Sequence, residues 1–295
     1  MDVRDVVLHE LPDVDLARAE VLGEGWNATA WSVFGLSTRW VIRVPKLDWA
    51  AGEIERQTHL GRHLSELNMP VPHGWRLFRN PDGAIIAGAY VYVGGEPAPT
   101  RGKHQLDILA GEIAKFLTRL HSLPTGVPLR ECEALDLDPW PGRYRDLITK
   151  YRAMTGPQTQ SWLARSGARL ERASHDAPPH VLVHGDLAPE HVLCDAAGKI
   201  TGVLDFSGPQ VTDPALDFGR LIQRWGAPFA DSTLRRYARP IDAGFHERMA
   251  AYAKLEPLRT IEAGVLRELP EWIRWGQRHL AAAAGAERRA STPTI

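Results

Sequence analysis

The sequence predicts an α+β chain in two parts, a sheet-rich N-terminal lobe followed by a larger, mainly helical C-terminal lobe. Short runs of β-branched and aromatic residues, separated by glycine-bearing turns, fill much of residues 17–93. After residue 104, apolar residues recur mostly at helical spacing. With 295 residues, 44% hydrophobic and 24% charged, the chain can bury substantial cores, which excludes a staple-held miniprotein and disorder on the scale of a domain.

Residues 20–25, 29–34 and 40–44 read as three strands of a small antiparallel sheet. A helix is expected over 49–67, where Ile54, Leu60, Leu64 and Leu67 follow a helical spacing and Pro70 and Pro72 come next as stop signals. Strands resume at 76–78 and 84–93 around the turn Asn80-Pro81-Asp82-Gly83. Gly94-Gly95-Glu96-Pro97 breaks the pattern, so a hinge is expected near 93–98, with domains 1–93 and 94–295. Beyond it, apolar faces predict helices over 106–121, 144–154, 162–173, 214–225 and 270–284. Strand-like segments at 181–183, 191–194 and 200–205, with a turn at Ala196-Ala197-Gly198, interrupt the helices, and the tail 287–295 is expected to fray.

Thirty-five Lys plus Arg against 36 Asp plus Glu give a net charge of -1, so there is no electrostatic case for a nucleic-acid or membrane-surface partner. The two cysteines, Cys132 and Cys194, form no C-x-x-C pair and no Cys/His cluster, which argues for ordinary thiols in a reducing compartment. The opening MDVRDVVLHELPDVD has neither the basic region nor the apolar run of a secretory signal. The most apolar stretches, 85–93 and 200–204, fall well short of the roughly 18 residues of a membrane span. A cytoplasmic protein is expected.

The segment that carries chemistry is His184-Gly185-Asp186-Leu187-Ala188-Pro189-Glu190-His191, followed nineteen positions after Asp186 by Asp205 in Val203-Leu204-Asp205-Phe206. In phosphoryl transfer by kinases, a loop Asp takes or orients the proton of the attacking hydroxyl. A polar residue five positions on and a second Asp at a strand end bind Mg²⁺. Asp186 stands in the first role, His191 and Asp205 in the other two. Negative charge crowds the transferred group, so a divalent cation that neutralises it and one carboxylate that orients the nucleophile meet the chemical need. His184 reads as support for the loop, and Asp213 and Asp217 as caps of the helix starting near Pro214.

Together with Gly23-Glu24-Gly25-Trp26-Asn27, Trp40-Val41-Ile42-Arg43-Val44-Pro45-Lys46, the segment 117–124 around His121, and Thr212-Asp213-Pro214-Ala215-Leu216-Asp217-Phe218, these residues resemble the aminoglycoside phosphotransferase superfamily of small-molecule kinases, and within it the macrolide phosphotransferases. The resemblance covers most of the chain and implies a two-lobed, protein-kinase-like fold. It implies phosphates under Gly23 and Gly25, a purine against the backbone of Tyr90, Val91, Tyr92 and Val93, and phosphate contact by Arg43 or Lys46. The helix partner of that cation is Glu53 or Glu55, or Gln57 if the register shifts. Mg²⁺ at His191 and Asp205, GTP or ATP as phosphoryl donor, and an antibiotic hydroxyl as acceptor are implied by the same resemblance. Its macrolide branch implies GTP and the desosamine sugar. Three positions depart from the general pattern: Ala28 stands where a third loop glycine is usual, His191 where Asn is usual, and Ser207 where a Gly would come after Asp205-Phe206. His at the second of these resembles the macrolide kinases.

From residue 206 onward 13 Lys plus Arg outnumber 10 Asp plus Glu, a poor start for binding a polycationic aminoglycoside. Trp225, Trp272 and Trp275 fall in the region that lines the acceptor cleft in the family resembled, although tryptophans at helical spacing read first as core. The competing functions are an aminoglycoside kinase, a kinase of an ordinary metabolite such as choline or a sugar, and a nucleotide-binding pseudokinase that serves as an interaction module. Protein kinase activity is disfavoured, because no Ala-Pro-Glu segment comes after Asp205.

Overall fold

The computed structural model describes residues 3–25, 27–125, 142–175, 177, 180–206 and 210–290; Trp26, Cys132, Ser207 and residues 291–295 of the tail lie outside them. The chain runs through α1 (Val3–Glu10), β1 (Val14–Glu24), β2 (Ala28–Gly35), β3 (Arg39–Pro45), α2 (Asp48–Glu66), β4 (Arg76–Arg79), β5 (Ile85–Val91), β6 (Glu96–Pro97) and α3 (Lys103–Leu120). It continues with α4 (Gly142–Tyr151), α5 (Pro157–Ala173), β7 (Val181–Val183), β8 (Val192–Cys194), β9 (Ile200–Val203), β10 (Gln210–Thr212), α6 (Ala215–Trp225), α7 (Ala227–Leu234), α8 (Phe245–Leu255), α9 (Pro257–Leu266) and α10 (Pro270–Ala290). Two compact units result. The first comprises Met1–Leu120, Pro124–Leu135 and Asp186–Pro209, and the second His121–Leu123, Asp136–Gly185 and Gln210–Ile295. Packing therefore groups 94–120 and 186–209 with the N-terminal sheet.

In the first unit five antiparallel strands pair in the order β1-β2-β3-β5-β4, with α2 inserted between β3 and β4 as its spacing predicts. Strand β1 starts at Val14 rather than at residue 20. Register shifts between Asp15 and Glu20 and between Val21 and Gly23 break the two-residue alternation by which a strand is recognised in sequence. Helix α1 carries no such signal and is too short to stand alone; it forms because Val6 and Val7 pack with Val14, Val33, Ile42 and Phe78 in one core. The pleat of β3 sends Ile42 and Val44 to that core, and Val41 and Arg43 to the opposite face. Helix α2 lies close on β5 because residue 88 is Gly: a Cβ there would come within 2.6 Å of Ile54 Cγ2.

A second, three-stranded sheet, β6-β8-β9, completes this unit, so part of the expected hinge is a short strand paired with Leu193 and Cys194. In the other unit β7 pairs with β10 and the remaining described elements are helical. Helices α7, α8 and α9 were not expected. Pro228 and Pro257 stand in the first turns of α7 and α9, where proline is compatible with a helix because its missing N–H would have no intrahelical partner. The tryptophans read as core are not buried: Trp225 and Trp272 are half-buried and Trp275 is 40% exposed, stacked on His279 along the outer face of α10.

Candidate active site

Strand β7 leads directly into His184 and Gly185, and α6 grips the backbone of both. The buried Asp217 carboxylate accepts the His184 N–H at 2.9 Å on Oδ2 and the Gly185 N–H at 2.8 Å on Oδ1. His121 Nε2 lies 3.0 Å from the same Oδ2, and its Nδ1 lies 2.8 Å from the Tyr237 hydroxyl. Burial pushes the Asp217 carboxyl up, but His121, the nearby His184 and the Gly185 amide outweigh it and hold the group below its ordinary range. Asp217 therefore does not cap its own helix as expected from the sequence: its carboxylate holds the backbone of His184 and Gly185, just before Asp186. Asp213 does cap, accepting the Ala215 N–H at 3.0 Å, and its Oδ2 also takes Arg248 Nε at 2.7 Å and the Tyr252 hydroxyl at 2.8 Å. His184 is fully buried, in keeping with a supporting part.

The loop after Gly185 folds back on itself, with His191 Nδ1 2.8 Å from the Asp186 carbonyl oxygen. A carbonyl can only accept, so Nδ1 is the donor. The other ring nitrogen, Nε2, faces Asp205 Oδ2 at 3.6 Å. Asp205 sits just past β9, at a φ of 58°, a left-handed conformation that side-chain-bearing residues seldom adopt and that turns its carboxylate back toward the loop. Its buried Oδ1 has no hydrogen-bond partner, and Arg43 Nη1 stands 3.9 Å away.

Of the three helix residues considered as a partner for the strand cation, Gln57 is the one that touches Arg43, through Oε1. Gln57 Nε2 donates to Glu53 Oε1 at 3.4 Å, while the other Glu53 oxygen accepts from the Asn27 amide. Burial raises the Glu53 pKa, with Arg43 opposing and Asp205 adding to the shift. Glu55 faces outward and pairs with Arg79. Lys46 pairs with Glu24 at 3.3 Å.

Within this unit a cavity of about 610 Å³ is lined by Gly23, Gly25, Arg43, Tyr90, Tyr92, Val93, His191 and Asp205, together with Leu22, Ala28, Ala30, Val41, Leu193 and Leu204. Its size suits a nucleotide-sized ligand. Small and aliphatic side chains offer room for a flat ring, and Arg43, His191 and Asp205 offer charge. Lys46, Val91 and Asp186 are not part of the lining; the strand alternation turns Val91 toward Gly74, where its Cγ2 lies 2.8 Å from the place a Cβ would take. Arg220, whose Nε donates to the Gly185 carbonyl oxygen at 2.8 Å, has no motif to mark it, and only folding brings it there.

Asp205 supplies the hard oxygen donor that fits a divalent cation such as Mg²⁺, with one buried oxygen lacking a hydrogen bond, and the His191 imidazole nitrogen beside its other oxygen is a softer donor. Among the described residues there is no group of three or more His, Cys, Asp or Glu that could hold a metal. Few protein ligands suit Mg²⁺, which keeps several waters and shares its remaining positions with phosphate oxygens.

Comparison with known proteins decides the family. The model of the phosphotransferase enzyme family (APH) matches residues 18–258. The chain belongs to this family. Among solved structures of similar fold, the GDP complex of wild-type aminoglycoside 2'-phosphotransferase-IIIa superposes with a TM-score of 0.82 at 19% identity, covering 96% of this chain and 98% of that one. The apoenzyme of macrolide 2'-phosphotransferase MphH from Brachybacterium faecium superposes at 0.72 with 20% identity, covering 94% and 96%. The α+β phosphotransferase fold, sheet-rich in its N-terminal part and helical in its C-terminal part, is therefore the kinase-like one expected from the sequence. The uncharacterized protein YcbJ of Bacillus subtilis (strain 168) is 54% identical over 37 residues, which span 12% of each chain. Among the described residues no helix of this phosphotransferase is long and apolar enough to cross a membrane.

Proposed function

We propose that this phosphotransferase moves the γ-phosphoryl group of a nucleoside triphosphate, GTP by the macrolide resemblance, onto a hydroxyl of an antibiotic, and that the antibiotic is a macrolide. The observation that carries the reading is the meeting of His191, Asp205 and Arg43 at one nucleotide-sized cavity, from positions far apart in the chain. In this reading residues 1–93 form the nucleotide-binding lobe and 94–295 the catalytic and acceptor-binding lobe.

Asp186 takes or orients the acceptor's hydroxyl proton while that oxygen bonds to the γ-phosphorus and the bond to the β–γ bridging oxygen breaks, which leaves a nucleoside diphosphate. Arg43, braced by Gln57, places a permanent positive charge beside the phosphates. Gly23 and Gly25 cover the phosphates, and Tyr90 to Val93 meet the base. His191 and Asp205 would hold Mg²⁺, which supplies charge neutralisation at the transferred group when bound.

The choice of acceptor class rests on charge. Of the 10 acids after residue 206, Asp213 and Asp242 pair with Arg248, Asp217 with His121, Glu256 with Arg220, Glu262 with Arg143, and Glu287 with Arg169. Asp231, Glu247, Glu268 and Glu271 have no ion pair among the described residues, and they are spread over several elements. A polycation calls for clustered free carboxylates, whereas a macrolide offers a broad apolar face with a single amine, which suits partly exposed Trp225, Trp272 and Trp275.

The test is a screen of macrolides, aminoglycosides and common metabolites with GTP and ATP, read as the mass gain of one phosphoryl group on the acceptor. Macrolide phosphorylation that responds weakly to added salt is expected. Transfer to several aminoglycosides with none to any macrolide would overturn the acceptor class, and transfer to no acceptor would leave the pseudokinase reading.

A further inference from the structure

We propose that Arg220 is a positioning residue that aims Asp186, by holding the peptide plane that joins Gly185 to it. The inference rests on the reading that Asp186 orients the acceptor hydroxyl. Gly185 has a φ of 76°, in the left-handed region open chiefly to glycine, and glycine is the residue whose backbone is least confined by its own sterics. Left to itself, such a hinge would let the next residue swing. Each flanking peptide unit is planar, so pinning one group on each plane fixes both soft dihedrals at Gly185.

Helix α6 supplies both pins from one face. Asp217 Oδ1 takes the Gly185 N–H at 2.8 Å, and one turn later Arg220 Nε donates to the Gly185 carbonyl oxygen at 2.8 Å. The Asp217 pin acts on the first plane alone; the second, the one continuous with Asp186, is held from α6 by Arg220.

Arg220 is built as a rigid donor. Its side chain is 3% exposed, its Nη1 pairs with Glu256 Oε1 and donates to Gln223 Oε1 at 3.2 Å, and Gln223 is itself anchored through Nε2 to the Ala253 carbonyl at 2.9 Å. Glu256 also accepts the Tyr144 hydroxyl at 3.1 Å and lies 3.7 Å from Arg259. The guanidinium fork thus spans from the catalytic loop to the start of α9, and a single-headed ammonium could not reach both ends.

The competing role is that of a buried ion pair that only ties α6 to α9. The double variant Arg220→Met/Glu256→Gln separates the two roles, because it removes both charges and leaves neither stranded. A variant destabilised elsewhere in the same unit, Leu170→Ala on α5, serves as the stability control. Well below the melting transition, kcat of the double variant is expected to fall about 100-fold with nucleotide Kd within several-fold of the parent, while Leu170→Ala keeps parental kcat. Amide exchange across residues 184–187, followed by mass spectrometry without any substrate, is expected to accelerate at least about tenfold in the double variant alone. Should that variant fail to fold, Arg220→Lys keeps the charge and is expected to show the same two effects.

Parental kcat and parental exchange at 184–187 in a folded variant would overturn the proposal. A parent protein that phosphorylates no acceptor would instead overturn the proposed function, and the exchange measurement would still decide whether Arg220 holds the loop.

Discussion

Replacing Asp217 by Asn tests how the loop that starts at His184 and Gly185 is held. The carboxylate makes three contacts in a site closed to water: Oδ2 with the His184 N–H at 2.9 Å and His121 Nε2 at 3.0 Å, and Oδ1 with the Gly185 N–H at 2.8 Å. The best placement of the amide keeps its oxygen where Oδ2 stands, which preserves two contacts and sets the NH₂ group against the Gly185 N–H, donor to donor. One charge-assisted bond is lost and one buried amide is left unsatisfied, together about 3–5 kcal/mol. That is a large share of the roughly 5–15 kcal/mol that holds a domain folded. Urea unfolding followed by circular dichroism is expected to show a lower midpoint with an unchanged m-value.

The pH dependence supplies a second arm. The folded pKa of Asp217 is depressed, so its contribution is fully present above the unfolded value of about 3.9 and is lost as the pH falls through the lower, folded value. The gap between parent and Asp217→Asn therefore narrows only in strong acid. A loss below about 1 kcal/mol at neutral pH, or a gap that closes already above pH 5, would show that Asp217 does not hold the loop as described.

Asp186→Ala is expected to cut kcat by orders of magnitude with nucleotide affinity within several-fold, as read by steady-state kinetics and fluorescence titration; near-normal turnover removes its assigned role. Asp205→Ala is expected to weaken Mg²⁺ binding severely, whereas His191→Asn, which keeps a polar ligand, retains substantial activity; an unchanged apparent Mg²⁺ affinity in Asp205→Ala places the metal elsewhere. Arg43→Ala is expected to raise the nucleotide Kd about tenfold or more and Lys46→Ala much less, because Lys46 is paired with the exposed Glu24; isothermal titration with both nucleotides reads the order, and the reverse order refutes it. Glu53→Gln, with the Asn27 amide turned so that its buried, unsatisfied Oδ1 accepts the new NH₂ group, is expected to stabilise the protein at neutral pH. The folded pKa of Glu53 is raised, so stability drops as pH rises from the unfolded value of about 4.3 through the folded one, and the variant loses that slope; an identical pH profile for parent and variant argues against a strained carboxylate.

The chain itself determined the alternation of strand and helix along residues 20–91, since period-two and helical apolar patterns are local properties. Helix α2 between β3 and β4 and the strands around the Asn80-Pro81-Asp82-Gly83 turn lie where those patterns put them. The meeting of His191 with Asp205 was legible for a related reason: their spacing along one loop and the strand pair after it is a local constraint. Features beyond local pattern were decided by packing. Helix α1 exists because Val6 and Val7 find a core made by strands well downstream, and β1 extends to Val14 through bulges that erase its alternation. Spacing alone left Glu53 or Glu55 as partner for the strand cation, with Gln57 only if the register shifted. The rotation of α2 on the sheet put Gln57 against Arg43, turned Glu55 out to Arg79, and buried Glu53 with Asn27.

The same holds for Asp217 and Arg220. In sequence they are a capping acid and an unremarkable cation on one helix; only tertiary structure lays the N–H and the C=O of Gly185 within hydrogen-bond reach of the two. Hydrogen bonds between residues more than thirty positions apart leave no periodicity to read, because they depend on where whole elements come to rest rather than on the order of neighbours.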